Sequence, residues 1–322
     1  MKTALITGIS GQDGYHLTNL LLEKNYNVVG TVRTQDSQNT LRFKRLFPGV
    51  KLLNADLGEF SSLLAALETA QPDEIYNLGG ESFVSQSFLE PEQSANINGL
   101  GILRMLEAIR LLGLTSTRIY QAGSSEMFGR VSNTPQNEAT PLFPQSPYGV
   151  AKTFAHHTCI NYRERHGMFI CSGIMYNHEG EYRDHKYVTR KITSSIARIK
   201  LGRQVKFELG SLSSKRDWGY AADYVEAMWR MLQQEIPKDY VVATGKLHSV
   251  RDFVEVAIEA AGLKGHVEDY VVYNPAFQRP KEVCDLVGDP TRAKLELGWA
   301  PVTDFYAMVD LMIENDLILE DL

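Results

Sequence analysis

The sequence predicts an α/β fold, a doubly wound parallel sheet carrying a smaller α/β lobe. Three observations predict it. The first run, Thr3-Ala-Leu-Ile-Thr7, is apolar on both faces and is followed at once by glycines, as a central parallel strand covered by helices would be. Strand-like runs then alternate with helical patterns through the first half. The chain of 322 residues is 43% hydrophobic, enough to bury a sizeable core, which excludes a disordered or fibrous protein.

Taken in order, strands are expected at 3–7, 27–33, 51–55, 74–78, 118–123 and 169–175, with helices at 14–24, 57–70, 93–112 and 148–166. Six strands with crossover helices make the doubly wound sheet. The second half is less regular. It predicts a helix at 188–201, a loop then a helix across 216–234, a strand at 240–244 and a helix at 250–261. This pattern assigns residues 1–175 plus 214–246 to the sheet domain and 176–213 plus 247–322 to the smaller lobe, with a cleft between them.

Thirty-three Lys and Arg against 39 Asp and Glu give a net charge of −6, with no block of like charge. A nucleic-acid or anionic-membrane protein would concentrate its cations, so neither partner is expected. No run of 18 apolar residues occurs and the N-terminus has no signal-peptide pattern. Cys159, Cys171 and Cys284 form no CxxC pair, so neither a disulfide framework nor a zinc site is expected. His156-His157 lack an HExxH spacing and are expected on the helix surface or at an interface, and no metal is expected. A reducing cytoplasm suits this usage.

Gly8-Ile-Ser-Gly11-Gln12-Asp13-Gly14 follows a strand and opens a helix, the context in which glycines let the backbone turn tightly and approach a pyrophosphate at a helix N-terminus. Without a ligand it would be no more than a tight βα turn. The second strand ends Val32-Arg33-Thr34 rather than on a carboxylate, which favours the extra phosphate of NADP over NAD, unless Arg33 is only a solvated strand end. Asp56-Leu57 and Leu78 end the third and fourth strands, at the sheet edge where the adenine and pyrophosphate would lie.

Tyr148-Gly-Val-Ala-Lys152 puts an ammonium one helical turn from a phenol, which would favour the phenolate, a general base for a sugar or alcohol hydroxyl. Ser124-Ser-Glu126 follows a strand at the carboxyl edge of the sheet. There Ser124 could hydrogen-bond a reacting hydroxyl and Glu126 could move a proton at a neighbouring carbon, or merely cap a helix. The aromatic residues Trp218, Tyr220, Tyr224 and Trp229 are expected in core and subunit packing.

Together the clusters resemble the extended short-chain dehydrogenase/reductases, and within them the nucleotide-sugar branch closest to the GDP-mannose 4,6-dehydratase family. The likeness rests on Thr7–Gly14, Pro72–Leu78, Tyr120–Ala122, Ser146–Lys152, Val188–Ile192, Arg216–Gly219 with Asp223–Trp229, Ala243–Gly245 with His248–Arg251, and Arg279-Pro followed by Glu282. It implies a dinucleotide-binding (Rossmann) sheet domain, a nucleotide-sugar-binding lobe, and NADP with NAD as the other option. It implies also that Tyr148 takes the C4 hydroxyl proton, that Glu126 takes the C5 proton and helps expel the C6 hydroxyl, and that the product is a GDP-4-keto-6-deoxy sugar. Ser124 stands where the family has Thr. Ser82, Asn177, Lys191, Arg216, Arg279 and Glu282 fall on positions that hold the sugar, diphosphate or base; Arg216 and Arg279 would alternatively be surface ion pairs. The chain departs from the family in Glu81 for Gln, Phe83 for His, and Gly180–Lys186 for a basic, proline-containing stretch. A nucleotide-sugar C4 reductase or dehydrogenase, a 4-epimerase, a manno-heptose substrate and a non-catalytic NADP sensor are the competing readings. The resemblance further implies a homodimer or homotetramer through the helices 93–112 and 148–166, with Asn39-Thr40 and Arg42 matching a loop that reaches a neighbouring subunit.

Overall fold

The computed structural model describes residues 1–131, 133–277 and 285–321. Seven strands, β1 (Thr3–Thr7), β2 (Asn27–Val32), β3 (Lys51–Asn54), β4 (Glu74–Asn77), β5 (Arg118–Ala122), β6 (Ile170–Met175) and β7 (Tyr240–Val242), form one parallel sheet in the order β7-β6-β5-β4-β1-β2-β3. The six strands expected in the first half are joined by the one expected at 240–244, which makes seven. The chain leaves the sheet after Met175, builds part of the small lobe, and returns at Tyr240 to pair with Gly173, so sequence distance hid the last strand's place. The winding reverses between β1 and β4, which opens a crevice at their carboxyl ends.

The main helices are α1 (Gln12–Glu23), α2 (Gln38–Leu46), α3 (Phe60–Ala70), α4 (Leu100–Leu111), α5 (Pro147–His166), α6 (Val188–Lys200), α7 (Ala221–Leu232), α8 (Val250–Ala260) and α9 (Phe305–Asp321). Side chains alternate across the sheet. Ala4 and Ile6 join Leu17, Leu21, Tyr224 and Met228 under α1 and α7, while Leu5, Ile75 and Ile119 join Leu67, Met105 and Cys159 under α3, α4 and α5. Each such Leu or Ile contributes about 1.5–3 kcal/mol by leaving water. A third cluster, with Ile192, Phe253, Phe305 and Met308, makes the core of the smaller lobe from α6, α8 and α9.

Three local expectations change. α2 was hidden because only Thr40 and Phe43 of its nine residues are buried; Ser37 caps it by accepting the Thr40 N–H at 3.2 Å. The span 93–112 is not one helix, because a wide π-type turn over Ala95–Gly99 precedes α4, and Asn98 there brackets the Glu81 backbone with bonds of 3.0 and 3.1 Å. Across 216–234, two short strands precede α7: Lys215–Arg216, paired with His248–Ser249, and Trp218–Tyr220, paired with Asn177–Glu179. In the small lobe the buried Arg190 meets Asp316 at 2.6 Å, and Thr193 donates to the same carboxylate at 2.6 Å. These bonds pin α6 to α9.

Candidate active site

The glycine-rich turn after β1 meets the end of β4. Gly8 has φ +66°, and a Cβ there would stand 2.8 Å from Gly79 Cα; one at Gly14 would stand 2.1 Å from the Ile9 carbonyl oxygen. Only glycine permits either contact. α1 starts at Gln12 without a side-chain cap, so its first N–H groups are available to an anion. The cavity above this turn measures about 480 Å³, and Gly8, Gly11, Gln12, Asp13, Gly14, Arg33, Asp56, Leu57 and Leu78 all line it. The residues present therefore fit a dinucleotide, with the guanidiniums of Arg33 and Arg42 in its wall. One Asp56 oxygen is already used, accepting the Gly58 N–H at 2.7 Å.

A second cavity of about 680 Å³ adjoins the first, sharing Asp13, Leu78, Gly80, Ser82 and Tyr187. Ser124, Glu126, Tyr148 and Lys152 all line it, with Ser82, Asn177, Lys191 and Arg216. Local chemistry explains the convergence. Ser146 caps α5 by accepting the Gly149 N–H at 3.0 Å, and Pro147 occupies the first turn, which brings Tyr148 to the cavity. A Cβ on Gly149 would lie 2.6 Å from the Glu126 carbonyl oxygen, so glycine lets the Ser124–Met127 turn sit against the start of α5. Ser124 caps that turn through the Glu126 N–H at 3.2 Å and hydrogen-bonds Tyr148.

The expected effect of Lys152 on Tyr148 is corrected. Burial pushes the Tyr148 phenol above its ordinary value, with the Ser124 hydrogen bond acting the other way. Lys152 Nζ lies 5.7 Å from the Tyr148 ring centre and donates to the Ala122 carbonyl at 3.0 Å; burial lowers it to about 8. A buried polar chain runs beneath the cofactor cleft across three strand ends: Thr7 donates to Asn77 at 2.6 Å, Asn77 to Gln121 at 2.7 Å, and Gln121 to the Ala122 carbonyl at 3.0 Å. The carbonyl that holds Lys152 is itself held by this chain.

The smaller lobe supplies residues that the motif reading missed. His178 bonds Asp13 at 3.0 Å, and Gln12 donates to the His178 carbonyl at 3.0 Å, tying α1 to the strand that carries Asn177. Arg183, paired with Glu179 at 2.9 Å, and Tyr187 line both cavities. For Arg183 the signal lay in the 180–186 segment, where it and Lys186 are the cations. Lys191 packs its ammonium 3.5 Å from the Phe277 ring centre. Arg279 and Glu282 lie outside the described residues, as does Cys284. His156 is buried and bonds Ser172 at 3.1 Å, correcting its expected surface place, while His157 is exposed. Trp218 and Tyr224 are buried in the cores. Asn39 and Arg42, expected in a loop reaching a neighbour, belong to α2 and line this chain's own cofactor cleft. Among the described residues there is no cluster that could hold a metal ion and no helix long and apolar enough to cross a membrane.

The sequence model of the family described as GDP-mannose 4,6 dehydratase matches residues 5–312. The chain belongs to that family. It is 46% identical to GDP-mannose 4,6 dehydratase 1 of Arabidopsis thaliana over 99% of this chain and 90% of that protein, and 43% identical to the GDP-mannose 4,6 dehydratase of Homo sapiens over 99% and 92%. Among solved structures, UDP-glucose 4-epimerase of Thermus thermophilus in complex with NAD superposes with a TM-score of 0.85 at 24% identity, covering 98% of each chain. RMD of Pseudomonas aeruginosa complexed with NADPH gives 0.83 at 24% identity, covering 99% of this chain and 100% of that one. Those two likenesses establish the α/β Rossmann fold of this GDP-mannose 4,6 dehydratase family member. The expected resemblance and fold class are borne out.

Proposed function

We propose that the protein is an NADP-dependent GDP-mannose 4,6-dehydratase, a hydro-lyase that converts GDP-mannose to a GDP-4-keto-6-deoxy sugar. The observation that carries the reading is the convergence of Ser124, Glu126, Tyr148 and Lys152 on one cavity that shares a wall with the glycine-lined cleft, in a chain of this family. Gly8, Gly11, Gln12, Asp13, Gly14, Asp56, Leu57 and Leu78 would hold the dinucleotide, and Arg33 would meet its extra phosphate; NAD is the alternative. When bound, the dinucleotide supplies hydride uptake from C4 and hydride return to C6.

The chain's own residues do the rest. Tyr148 takes the proton of the C4 hydroxyl as the phenolate, a form that burial disfavours and that the Ser124 hydrogen bond and the Lys152 charge beside the pair must offset. The resulting C4 ketone acidifies the C5 proton, which Glu126 removes; Glu126 then returns a proton to the departing C6 hydroxyl, which leaves as water. Asn177, Lys191 and Arg216 from the smaller lobe hold the sugar nucleotide, with Arg279 and Glu282 assigned by resemblance. This division makes residues 1–175 plus 214–246 the NADP domain and the remainder the sugar-nucleotide lobe. The reading includes a cytoplasmic homodimer or homotetramer.

The test is to incubate purified protein with catalytic NADP and GDP-mannose and follow the sugar nucleotide by mass. Loss of one water without accumulation of NADPH is expected. Loss of two hydrogens with stoichiometric reduced cofactor would overturn the lyase reading in favour of a C4 dehydrogenase.

A further inference from the structure

Two elements from opposite sides of the cleft touch where the cofactor cavity meets the reaction cavity. From the sheet domain comes the loop after β4, with Ser82 and Phe83. From the smaller lobe comes the segment that runs into α6, with Lys186 and Tyr187. The Ser82 and Tyr187 hydroxyls are 2.7 Å apart, and the Phe83 and Tyr187 rings meet edge to face at 5.7 Å. Lys186 Nζ stands 5.8 Å from the Phe83 ring centre and 5.7 Å from that of Tyr187. Ser82, Lys186 and Tyr187 line both cavities, while Ser82 and Lys186 are exposed, so this contact stands on the solvent side of the junction.

Tyr187 cannot swing freely. The Arg183 guanidinium lies 3.6 Å from its ring centre, Glu179 holds that guanidinium, and Thr189 at the start of α6 donates to Glu179 at 2.7 Å. The bridge across the cleft is nevertheless slight: one neutral hydrogen bond, an aromatic edge and the Lys186 ammonium near the Phe83 ring. It can open for a substrate to enter and still favour the closed arrangement. The fold brings Phe83 and Lys186 together on the same ring.

We propose that Tyr187 is a positioning residue that seals the junction of the two cavities and retains the sugar nucleotide between water loss and completion of the product, an inference that rests on the dehydratase reading above. The chemistry makes retention measurable. A sugar that leaves after elimination has given a hydride to the cofactor and a proton to Tyr148 and has lost one water. It is lighter than GDP-mannose by water plus two hydrogens, and one reduced cofactor stays behind. The completed product has recovered a hydride at C6 and a proton at C5, and is lighter by water alone. Ser82, assigned to the sugar by resemblance, acts in this reading through Tyr187.

The experiment compares wild type, Tyr187→Phe, Ser82→Ala and the double variant with GDP-mannose and NADP. It resolves the two products by mass and follows reduced cofactor by absorbance. Loss of a neutral hydrogen bond should raise the ratio of unsaturated to completed product about two- to tenfold in either single variant, with no further rise in the double. Tyr187→Ala, which also removes the ring, should raise it more. In protein preloaded with NADPH and given no sugar, it should speed cofactor release, read by NADPH fluorescence. Variants that lower turnover but release only completed product, with NADPH release unchanged, would overturn the inference. So would independent, additive effects of Ser82→Ala and Tyr187→Phe. Wild-type protein that leaves GDP-mannose unchanged would instead overturn the dehydratase reading, a result distinguishable from either.

Discussion

The imidazole of His178 faces an acceptor at each nitrogen: the Asp13 carboxylate at 3.0 Å from Nε2 and the Tyr176 carbonyl at 2.8 Å from Nδ1. A ring that donates at both ends carries a proton on both. Burial alone would lower its pKa, but the charge and hydrogen bond of Asp13 and the Tyr176 carbonyl raise it above 6.5. For Asp13, burial acts upward, and His178 together with Gln12 and Arg183 more than offsets it, leaving the carboxyl at about 2. The pair joins the start of α1 to the strand that carries Asn177, so it aligns the glycine turn with one wall of the second cavity.

The pair's pH dependence follows from these signs. A raised histidine contributes stability that is complete below its unfolded value of 6.5 and is lost as pH climbs through the folded value. A depressed aspartate contributes stability that is complete above 3.8 and is lost as pH falls through about 2. His178→Gln should therefore destabilise by about 3 kcal/mol between those limits, and by less on the alkaline side. Denaturant unfolding of both proteins at several pH values checks it, and a difference that does not change with pH would refute the imidazolium.

Lys152 offers a kinetic test. Its ammonium, lowered by burial to about 8, is spent on the Ala122 carbonyl beside Tyr148. If that charge assists proton removal, kcat/KM should fall as pH rises through about 8, and Lys152→Arg, which cannot deprotonate, should lose this alkaline limb whatever its absolute rate. Tyr148→Phe should lower kcat by about 10²–10⁴-fold with folding intact by circular dichroism. An unchanged alkaline limb in Lys152→Arg would remove the lysine from this role.

Legibility in the sequence followed locality. β1, the glycine turn and the Tyr148–Lys152 spacing depend on neighbours within a few residues, and each was readable. The seventh strand was read as a strand of the sheet domain but not given its neighbour, because its partner β6 lies more than sixty residues earlier and only tertiary packing joins them. α2 escaped because it is short and polar overall, with only two of its nine residues buried. The site showed the same division. Ser124, Glu126 and Tyr148 stand on recognisable motifs, whereas His178, Arg183 and Tyr187 gain their meaning only where the smaller lobe folds over the sheet edge. Even the readable Tyr148–Lys152 pair misled on electrostatics, since spacing reports proximity and is blind to burial.

Cofactor choice should hinge on two guanidiniums. Arg33 is exposed at the end of β2, and Arg42 on α2 lies 5.4 Å from the Tyr182 ring centre and 5.9 Å from that of Tyr15, two rings that stack at 4.4 Å. An additional phosphate between these cations would gain charge-assisted bonds worth about 1.5–3 kcal/mol each. Arg33→Ala should raise the NADP dissociation constant about ten- to a hundredfold and leave that for NAD within about twofold, measured by calorimetry. Equal weakening of both would mean that Arg33 meets a part the two nucleotides share.

The outer face of α5 makes the remaining prediction. Val150 and Phe154, one helical turn apart, are 56% and 45% exposed, and Phe154 borders Gly99, next to Leu100, which is 39% exposed. An apolar stripe across two neighbouring helices is what a two-fold pairing through α4 and α5 would cover, and in such an interface each side chain is buried twice. A charge at position 154 would then be desolvated in both protomers. Phe154→Glu should weaken association by about 3 kcal/mol, over a hundredfold, while leaving the monomer folded, because the side chain does not enter the core. Sedimentation of wild type and variant, with circular dichroism as the folding control, decides the matter. A wild type that sediments as a monomer, or a variant that keeps its oligomeric state, would leave this face without the partner assigned to it.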